Sequence, residues 1–451
     1  MLVIGVVTLP LLLNSAYYKL QLQEKIAAAL RLEASIGGEL EIAFLPGLQL
    51  TMNDLHIGKA GADVAVVKQF SFGIDFLPLL HKEVRINNVA VQNPAIFLER
   101  YEDGTYNIRK PEPHVKLSLA RIVVADATLQ FKDAISGSEY EASACDLDLH
   151  ALRPLHRESL DHITDLDITA SLVCAEVRKN DLTMTDLNFS AEGKKGLFNL
   201  KPVTMHMFGA QGEGNLLADF SGAVPQYQIS YSLPQFLIED FFKTLAPQKT
   251  VAGTMDFSTS LTLQGKTLAE VKQTMTGTIL LRGENLSING TDLDEQFARF
   301  ESSQNFNLVD AGAFLFAGPL GLVVTKGYNF ANIFLDAGTS SEIRAVISDW
   351  TVEAGVAQAK DVAMTTNENR IALKGGLDFY NKQFKDVTIA LLDVDGCAIV
   401  KQEIHGSFQA PEIEKPNVLV SLAGPILSLL RKLVPADDCE VFYTGSLGAQ
   451  K

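Results

Sequence analysis

The stretch that decides the fold class reads FSFGIDF at residues 70–76, where large apolar side chains alternate with small or polar ones. A β-strand points successive side chains to opposite faces, so a period of two predicts a strand. The apolar face of this strand carries Phe70, Phe72, Ile74 and Phe76. Ser71 and its alternating partners are expected on the wet face.

The same period recurs on both sides of that stretch, most clearly in MDFSTSLTL at residues 255–263. Further apolar-face positions are Val84, Ile86, Val115, Leu117 and Leu119. Helical periodicity is scarce between these segments, which disfavours a parallel Rossmann-type sheet. The chain is therefore predicted to be mainly β.

An apolar sheet face has to be covered, and two solutions remain open. A second sheet can pack on it about 10 Å away to form a sandwich. Alternatively, a curved sheet can keep its apolar face as a groove for lipid chains. Alternation alone does not distinguish the two.

Composition excludes several classes of protein. The 451 residues are 47% hydrophobic and 20% charged, which is unlike a disordered chain. The net charge of −16 and the pI near 5.0 would repel nucleic acid, so no nucleic-acid partner is expected.

The N-terminus predicts a membrane anchor. Residues 1–18 contain no charged side chain and as a helix would reach roughly 27 Å, close to the hydrocarbon thickness of a bilayer. A cleaved signal peptide is the alternative. Apolar residues at helical spacing then predict a juxtamembrane helix over residues 19–38, ended by Gly37-Gly38.

Three short helices are predicted at residues 235–245, 268–275 and 293–300, and Leu286 and Ile288 indicate a short strand. The uncharged residues 311–324 are expected in a buried core. Residues 422–433 have helical spacing, which fits either a capping helix over the β-core or a contact with a membrane surface.

No catalytic constellation stands out. Asp146, Asp148 and His150 alternate onto one strand face beside further Asp and His residues up to Asp167, and a solvated face is favoured over a metal site. The glycine-rich residues 209–214 lack a following helix to present amides to phosphate and indicate a turn. We therefore expect no enzyme activity, no metal and no cofactor.

Four cysteines without CxxC spacing exclude zinc ribbons and thioredoxin-like motifs. In an oxidising compartment Cys397 and Cys439 are predicted to pair, closing a loop of about 40 residues for about 4 kcal/mol. For Cys145 and Cys174, a disulfide and two buried free thiols remain equally open.

Two longer motifs read LPGLQLTMNDLHIG at residues 45–58 and FSFGIDFLPLLHKEVRINNVAVQNPAIFLERYEDGTYNI at residues 70–108. These motifs resemble those of the AsmA family of bacterial proteins, which is related to TamB-type proteins. The matching positions include Pro46, Leu79, Leu80, Pro94, Gly104 and Asn107. The likeness continues at residues 119–134, 198–222 and 251–297, and so extends over most of the chain.

The resemblance implies a single-pass protein of the bacterial inner membrane with most of its chain in the periplasm. It implies an N-terminal membrane helix, then a curved, elongated antiparallel sheet with a chorein-like groove, then a C-terminal β-rich region with short helices. The expected regions are residues 1–18 (anchor), 19–38 (juxtamembrane helix), 39–110 (chorein-like), 111–245 (middle β) and 246–451 (AsmA-like C-terminal β).

The resemblance also implies a function in lipid handling, phospholipid transport and outer-membrane homeostasis. The groove residues named above would then contact phospholipid acyl chains, and outer-membrane or envelope proteins would be further partners. The alternative is a non-enzymatic scaffold that aids outer-membrane protein assembly.

Overall fold

The computed structural model describes residues 15–44, 47–59, 62–75, 86–108, 117–151, 164, 166–180, 182–245, 250–289, 292–295, 340–414, 417–418 and 441–448. Within these ranges the protein is mainly β. The chain divides into two compact units. Unit 1 comprises residues 1–206 and 217–223, and unit 2 comprises residues 207–216 and 224–451. The division falls inside the predicted middle region, residues 111–245.

Unit 1 contains one helix followed by ten strands. They are α1 (Ser15–Leu30), β1 (Glu33–Ile36), β2 (Leu40–Ala43), β3 (Leu48–Lys59), β4 (Ala62–Ile74), β5 (Ile86–Arg100), β6 (Leu117–Asp133), β7 (Ser138–Ala151), β8 (Ile168–Lys179), β9 (Leu182–Lys194) and β10 (Leu197–Met207).

Helix α1 is shorter than predicted. Arg31 takes a left-handed φ of 55°, a conformation that ends helices, and strand β1 begins two residues later. β1 pairs with the edge of β3, which buries Ile36 to 3% exposure. The prediction of a helix to residue 38 is therefore wrong, because sheet pairing overrides the weak helical pattern of residues 33–36. The predicted anchor, residues 1–18, lies outside the described residues up to residue 14.

The sheet of unit 1 follows the order of the chain. β1 and β2 both pair with β3, and each strand from β3 to β9 pairs with the strand that follows it in the chain. All these pairs are antiparallel except β5 and β6, which are parallel. The predicted purely antiparallel sheet is thus corrected to a mixed one.

Within the described ranges, the remaining strands lie mainly in unit 2, together with two longer helices. They are β11 (Ala210–Asp219, of which Leu217 onward belongs to unit 1), β12 (Gln226–Leu237), α2 (Ile238–Leu245), β13 (Thr250–Ala252), β14 (Thr254–Gln264), α3 (Leu268–Thr274), β15 (Thr276–Asn289), β16 (Ser340–Glu353), β17 (Val356–Thr365), β18 (Arg370–Asp378), β19 (Gln383–Leu392), β20 (Ala398–Gly406), β21 (Pro411–Ile413) and β22 (Asn417–Val418).

These strands form an antiparallel sheet in which β12 pairs with β14 and the strands from β14 to β20 pair in sequence. β13 pairs with the end of β15, and β21 and β22 both pair with β20. The central strands bury side chains on both faces.

One face of unit 2 carries a large core. Trp350, Ile343 and Leu377 are fully buried, and helix α2 contributes Ile238 and Phe241 to the same cluster. The opposite face carries the row Ile347, Ala363, Ala372, Ala390, on which Phe442 packs. Within the C-terminal segment, Tyr443 donates to the carboxylate of Asp361 at 2.5 Å. Each face of unit 2 therefore carries an apolar cluster with fully buried members.

The predicted helix at residues 268–275 is confirmed as α3. Thr267 caps it, because its hydroxyl accepts the backbone N–H of Glu270 at 3.2 Å. The helix predicted at residues 235–245 begins at Ile238, since the preceding residues belong to β12, and Leu286 and Ile288 lie in β15 as predicted.

Residues 293–295 are helical. The rest of that predicted helix, residues 311–324 and residues 422–433 lie outside the described ranges. Of the helices within the described ranges, none combines the length and the hydropathy that crossing a bilayer requires.

Candidate functional site

Two rows of apolar side chains cross nine strands of unit 1, from β2 to β10. Residues directly opposite each other on neighbouring strands share a face, so the pairing register defines each row. Row 1 consists of Ile42, Leu50, Phe72, Val89, Ile122, Leu149, Ala170, Ala191 and Leu200. Row 2 consists of Leu40, Met52, Phe70, Val91, Val124, Leu147, Leu172, Phe189 and Val203.

A third apolar row lies further along the strands. Row 3 consists of Ile57, Ala65, Ile96, Leu129, Ala142, Val177 and Met184. On each strand, the row 2 and row 3 residues are an odd number of positions apart, as are Met52 and Ile57. Regular alternation would therefore place row 3 on the opposite face of the sheet. Met52, Leu55 and Val67 nevertheless share one buried cluster, with Phe70 and Ile57 packed against it. All three rows therefore form one surface, the apolar face of unit 1.

Residues whose backbone is in the left-handed region account for this shift in the alternation. They are Asp54, Asn93, Asp126, Ala144 and Asp186, with φ between 47° and 58°, and they lie between rows 2 and 3. We call this line of residues the crease. An extra residue in the left-handed region bends a strand and shifts its alternation by one. Asp and Asn tolerate that conformation better than most residues, which accounts for four of the five.

Polar contacts hold the crease in place. Asn93 donates from its side-chain amide to the carboxylate of Asp126, and the backbone N–H of Asp126 donates to Asp146 at 2.8 Å. Asp186 lies 3.2 Å from Nδ1 of His206. These contacts satisfy backbone and side-chain groups where the regular ladder is interrupted.

Most of the apolar face is half-buried. Phe72, Val124, Leu172 and Phe189 all retain part of their exposure, and Leu129 is 40% exposed. The end near β3 is more deeply covered, because Leu22 and Ile26 of α1 join the cluster around Met52, itself 2% exposed.

Of the predicted groove residues, Phe70, Phe72 and Ile74 lie on this face, whereas Ile86, Leu117 and Leu119 are placed only by their positions in the strands. Phe70 belongs to row 2 and Phe72 to row 1, and Ile74 lies between Leu48 and Ile86 in the register. Leu117 is opposite Ile86 on the parallel strand β6, which also contains Leu119. Phe76, Val84 and Val115 lie outside the described residues.

The prediction that Ser71 faces water is wrong. Ser71 is 7% exposed, less than either neighbouring phenylalanine, and its hydroxyl lies 3.5 Å from the carbonyl oxygen of Ala90. Ser71 has a small side chain and lies on an internal strand, between Thr51 of β3 and Ala90 of β5. Exposed outward positions are instead Asn88 on β5 and Ser190 on β9.

Sequence reasoning missed the part of the face on β7 to β10, such as Leu147, Leu172 and Phe189. A signal for it was present, because apolar residues three positions apart flank an Asn or Asp in MNDL (52–55), VQNP (91–94), VADA (124–127) and MTDL (184–187). Each of these motifs places one left-handed residue in the crease.

A disulfide joins the apolar face between rows 2 and 3. Cys145 and Cys174 lie directly opposite each other on β7 and β8, with Cα atoms 4.0 Å apart, and are bonded. This settles the open alternative in favour of the disulfide. Cys397 is also disulfide-bonded and pairs in the backbone with Val441, but Cys439 lies outside the described residues.

The acidic and histidine side chains considered as metal ligands are engaged within the protein. The guanidinium of Arg121 donates to both carboxylate oxygens of Asp148, and this hydrogen bond lowers the pKa of the Asp148 carboxyl. His150 lies 3.0 Å from the same carboxylate, and Asp146 accepts the backbone N–H of Asp126. Arg121, Asp148 and His150 thus form one polar network on β6 and β7.

Comparison with known proteins supports the resemblance inferred from the motifs. The AsmA family model matches residues 1–120, which include α1 and the strands from β1 to the start of β6. Neither curated proteins nor solved structures gave a significant match. The N-terminal region of the chain, residues 1–120, is therefore similar to the AsmA family.

Proposed function

We propose that the apolar face of unit 1 binds phospholipid acyl chains. In this proposal the protein is anchored in the bacterial inner membrane, faces the periplasm and handles lipids for outer-membrane homeostasis without catalysing a reaction. The observation that carries the proposal is the set of three aligned rows whose side chains remain half-buried.

The chemistry of the face suits a hydrocarbon chain. Burial of one methylene group contributes about 0.8 kcal/mol and needs no specific polar partner. Valine, leucine and phenylalanine side chains in continuous rows offer such burial at many equivalent positions, which favours a ligand that slides along the face.

The opposite face of the same sheet has a different character. It carries the ion pairs Arg121–Asp148, Arg178–Glu141 and Lys132–Glu139. Charged side chains on that face disfavour acyl chains, because their burial against hydrocarbon would be costly. Lipid binding is therefore assigned to one face only, with head groups left in water.

Two further observations support the periplasmic location. The Cys145–Cys174 disulfide is typical of proteins in oxidising compartments, among which is the bacterial periplasm. The AsmA family match spans residues 1–120 and so includes the apolar N-terminal residues.

The experiment places a photo-crosslinking phenylalanine analogue at Phe72 and at Phe189 of the full chain in cells. Matched controls carry it at Asn88 and Ser190, which neighbour row 1 and row 2 residues in sequence but are exposed on the other face. Adducts are identified by mass spectrometry after irradiation.

Lipid adducts at Phe72 and Phe189, and not at Asn88 and Ser190, are the expected result. Protein adducts at the phenylalanine positions without lipid would instead support the scaffold for outer-membrane protein assembly. Equal lipid labelling at all four positions would contradict a binding face, since it would reflect contact with lipid in general.

A further inference from the structure

Unit 2 brings one histidine and two glutamates together at strands β20 and β21. Alternation along β20 puts Glu403 and His405 on one face. Glu414 follows β21 and lies opposite Glu403, because its backbone N–H donates to the carbonyl oxygen of Glu403 at 3.0 Å. The side chain of Gln402 donates to the carbonyl oxygen of Glu414 at 3.0 Å and fixes that segment further.

The donor atoms converge on one point. Nε2 of His405 lies 3.4 Å from a carboxylate oxygen of Glu403 and 3.3 Å from one of Glu414. All three atoms lie within 4.8 Å of one another. A single ring nitrogen carries at most one proton, so it cannot donate to both carboxylates at once.

The distances suit a shared cation better than direct hydrogen bonds. N–H···O bonds are typically about 2.7–3.2 Å long, shorter than both separations. Nitrogen and oxygen ligands bind Zn²⁺ at about 2.0–2.2 Å, and the edges of such a tetrahedron are about 3.3–3.6 Å. The two nitrogen–oxygen separations fall within that range.

The charges of the side chains around His405 also favour a bound cation. Glu412 lies directly opposite His405 in the register, so this small patch carries three glutamates around one imidazole. Like charges on directly opposite residues destabilise a strand pair. A divalent cation between Glu403 and Glu414 would reverse that repulsion.

We propose that Glu403, His405 and Glu414 bind a divalent transition-metal ion, with Zn²⁺ as the best match. One imidazole nitrogen and two carboxylate oxygens are zinc ligands, whereas Mg²⁺ and Ca²⁺ prefer six or more oxygen ligands. Water or Glu412 completes the coordination. The ion ties β21, an edge strand of only three residues, to β20.

The test is calorimetric titration of Zn²⁺ into the full chain after treatment with a chelator. His405→Gln removes the nitrogen ligand, and His206→Gln is the matched control because His206 is an exposed histidine facing the single carboxylate of Asp186. We expect His405→Gln to weaken binding at this site by at least about tenfold, the lower limit for changes in the outer shell of a metal site. His206→Gln should bind as the wild type does.

Glu403→Gln and Glu414→Gln test the oxygen ligands and replace His405→Gln if that variant does not fold by circular dichroism. Each should also weaken zinc binding, and Mg²⁺ should not displace the ion. The proposal is overturned if the wild type does not bind Zn²⁺, if the ligand variants bind as the wild type does, or if His206→Gln weakens binding equally.

Discussion

Both units are built from strands in which apolar and polar side chains alternate, but the apolar side chains are buried to different depths in the two units. In unit 1, Phe72 and Phe189 are half-buried, whereas in unit 2 Phe236 and Trp350 are 1% and 0% exposed. The comparison teaches that alternation determines which side chains share a face but not whether that face is filled. A face left partly open is available to a ligand, and a filled one contributes to stability.

The comparison predicts unequal costs for the same substitution in the two units. Phe241→Ala removes a fully buried ring from unit 2 and should cost about 3–5 kcal/mol. Phe189→Ala removes a half-buried ring from unit 1 and should cost roughly 1–1.5 kcal/mol, about half the value of full burial. Chemical denaturation measures both. Trp350, the single tryptophan, reports unfolding of unit 2 by fluorescence. Equal costs would show that the face of unit 1 is closed.

The disulfide of unit 1 should compensate in part for its smaller buried core. Cys145 and Cys174 are 29 positions apart, and cross-linking them stabilises by about 3.6 kcal/mol in the chain-entropy treatment. The double variant Cys145→Ala, Cys174→Ala should lose about that much in the far-ultraviolet transition of unit 1. The Trp350 transition serves as the control. If that transition moves by the same amount, the disulfide is not a property of unit 1 alone.

The crease should be sensitive to side-chain shape. Asp126→Val places a β-branched residue at φ 53° and should cost about 1–2 kcal/mol, because such residues rarely adopt the left-handed conformation. Asp126→Asn is the control, since asparagine tolerates this conformation and keeps a side-chain acceptor. Denaturation midpoints of the two variants decide the matter. A similar loss in both would mean that the side-chain contacts, not the backbone, determine the cost.

The smallest expected effect is the pH-dependent contribution of His56 to the stability of unit 1, where β3 pairs with β4. Hydrogen bonds to Asp63 and Asp54 raise the pKa of His56 above its usual 6.5. The raised pKa means that this stabilisation is fully present below about pH 6.5 and is lost as the pH rises through the folded-state value. His56→Gln should therefore cost roughly 0.2–1 kcal/mol near pH 5.5 and nothing near pH 9. A cost that grows with pH would refute the assignment.

Much of the strand content followed from local pattern. FSFGIDF at residues 70–76 predicted β4 through its alternation, and the helical spacing at residues 268–275 predicted α3. Phe70 and Phe72 were placed on the apolar face for the same reason. These features depend on neighbours in sequence.

The features that were missed depend on partners across the sheet. Alternation carries no information on strand direction, so the parallel pair of β5 and β6 was not foreseen. Residues 33–36 form a strand because they pair with β3, and Ser71 is buried on an internal strand between Thr51 of β3 and Ala90 of β5. The crease was not predicted, because it depends on contacts between neighbouring strands such as that of Asn93 with Asp126.

The number of strands in unit 1 determines the length of its apolar face, so that this length changes in discrete steps when strands are gained or lost. From β6 to β10 each strand pairs with its successor, and β9 passes to β10 through a two-residue turn at Lys195 and Gly196. The nine strands that rows 1 and 2 cross span about 38 Å, at about 4.8 Å per strand spacing. Duplication or deletion of one hairpin would alter that span by about 10 Å and leave the remaining pairs unchanged. Gain or loss of a hairpin during evolution can therefore change the length of the apolar face without changes to the side chains of the remaining strands.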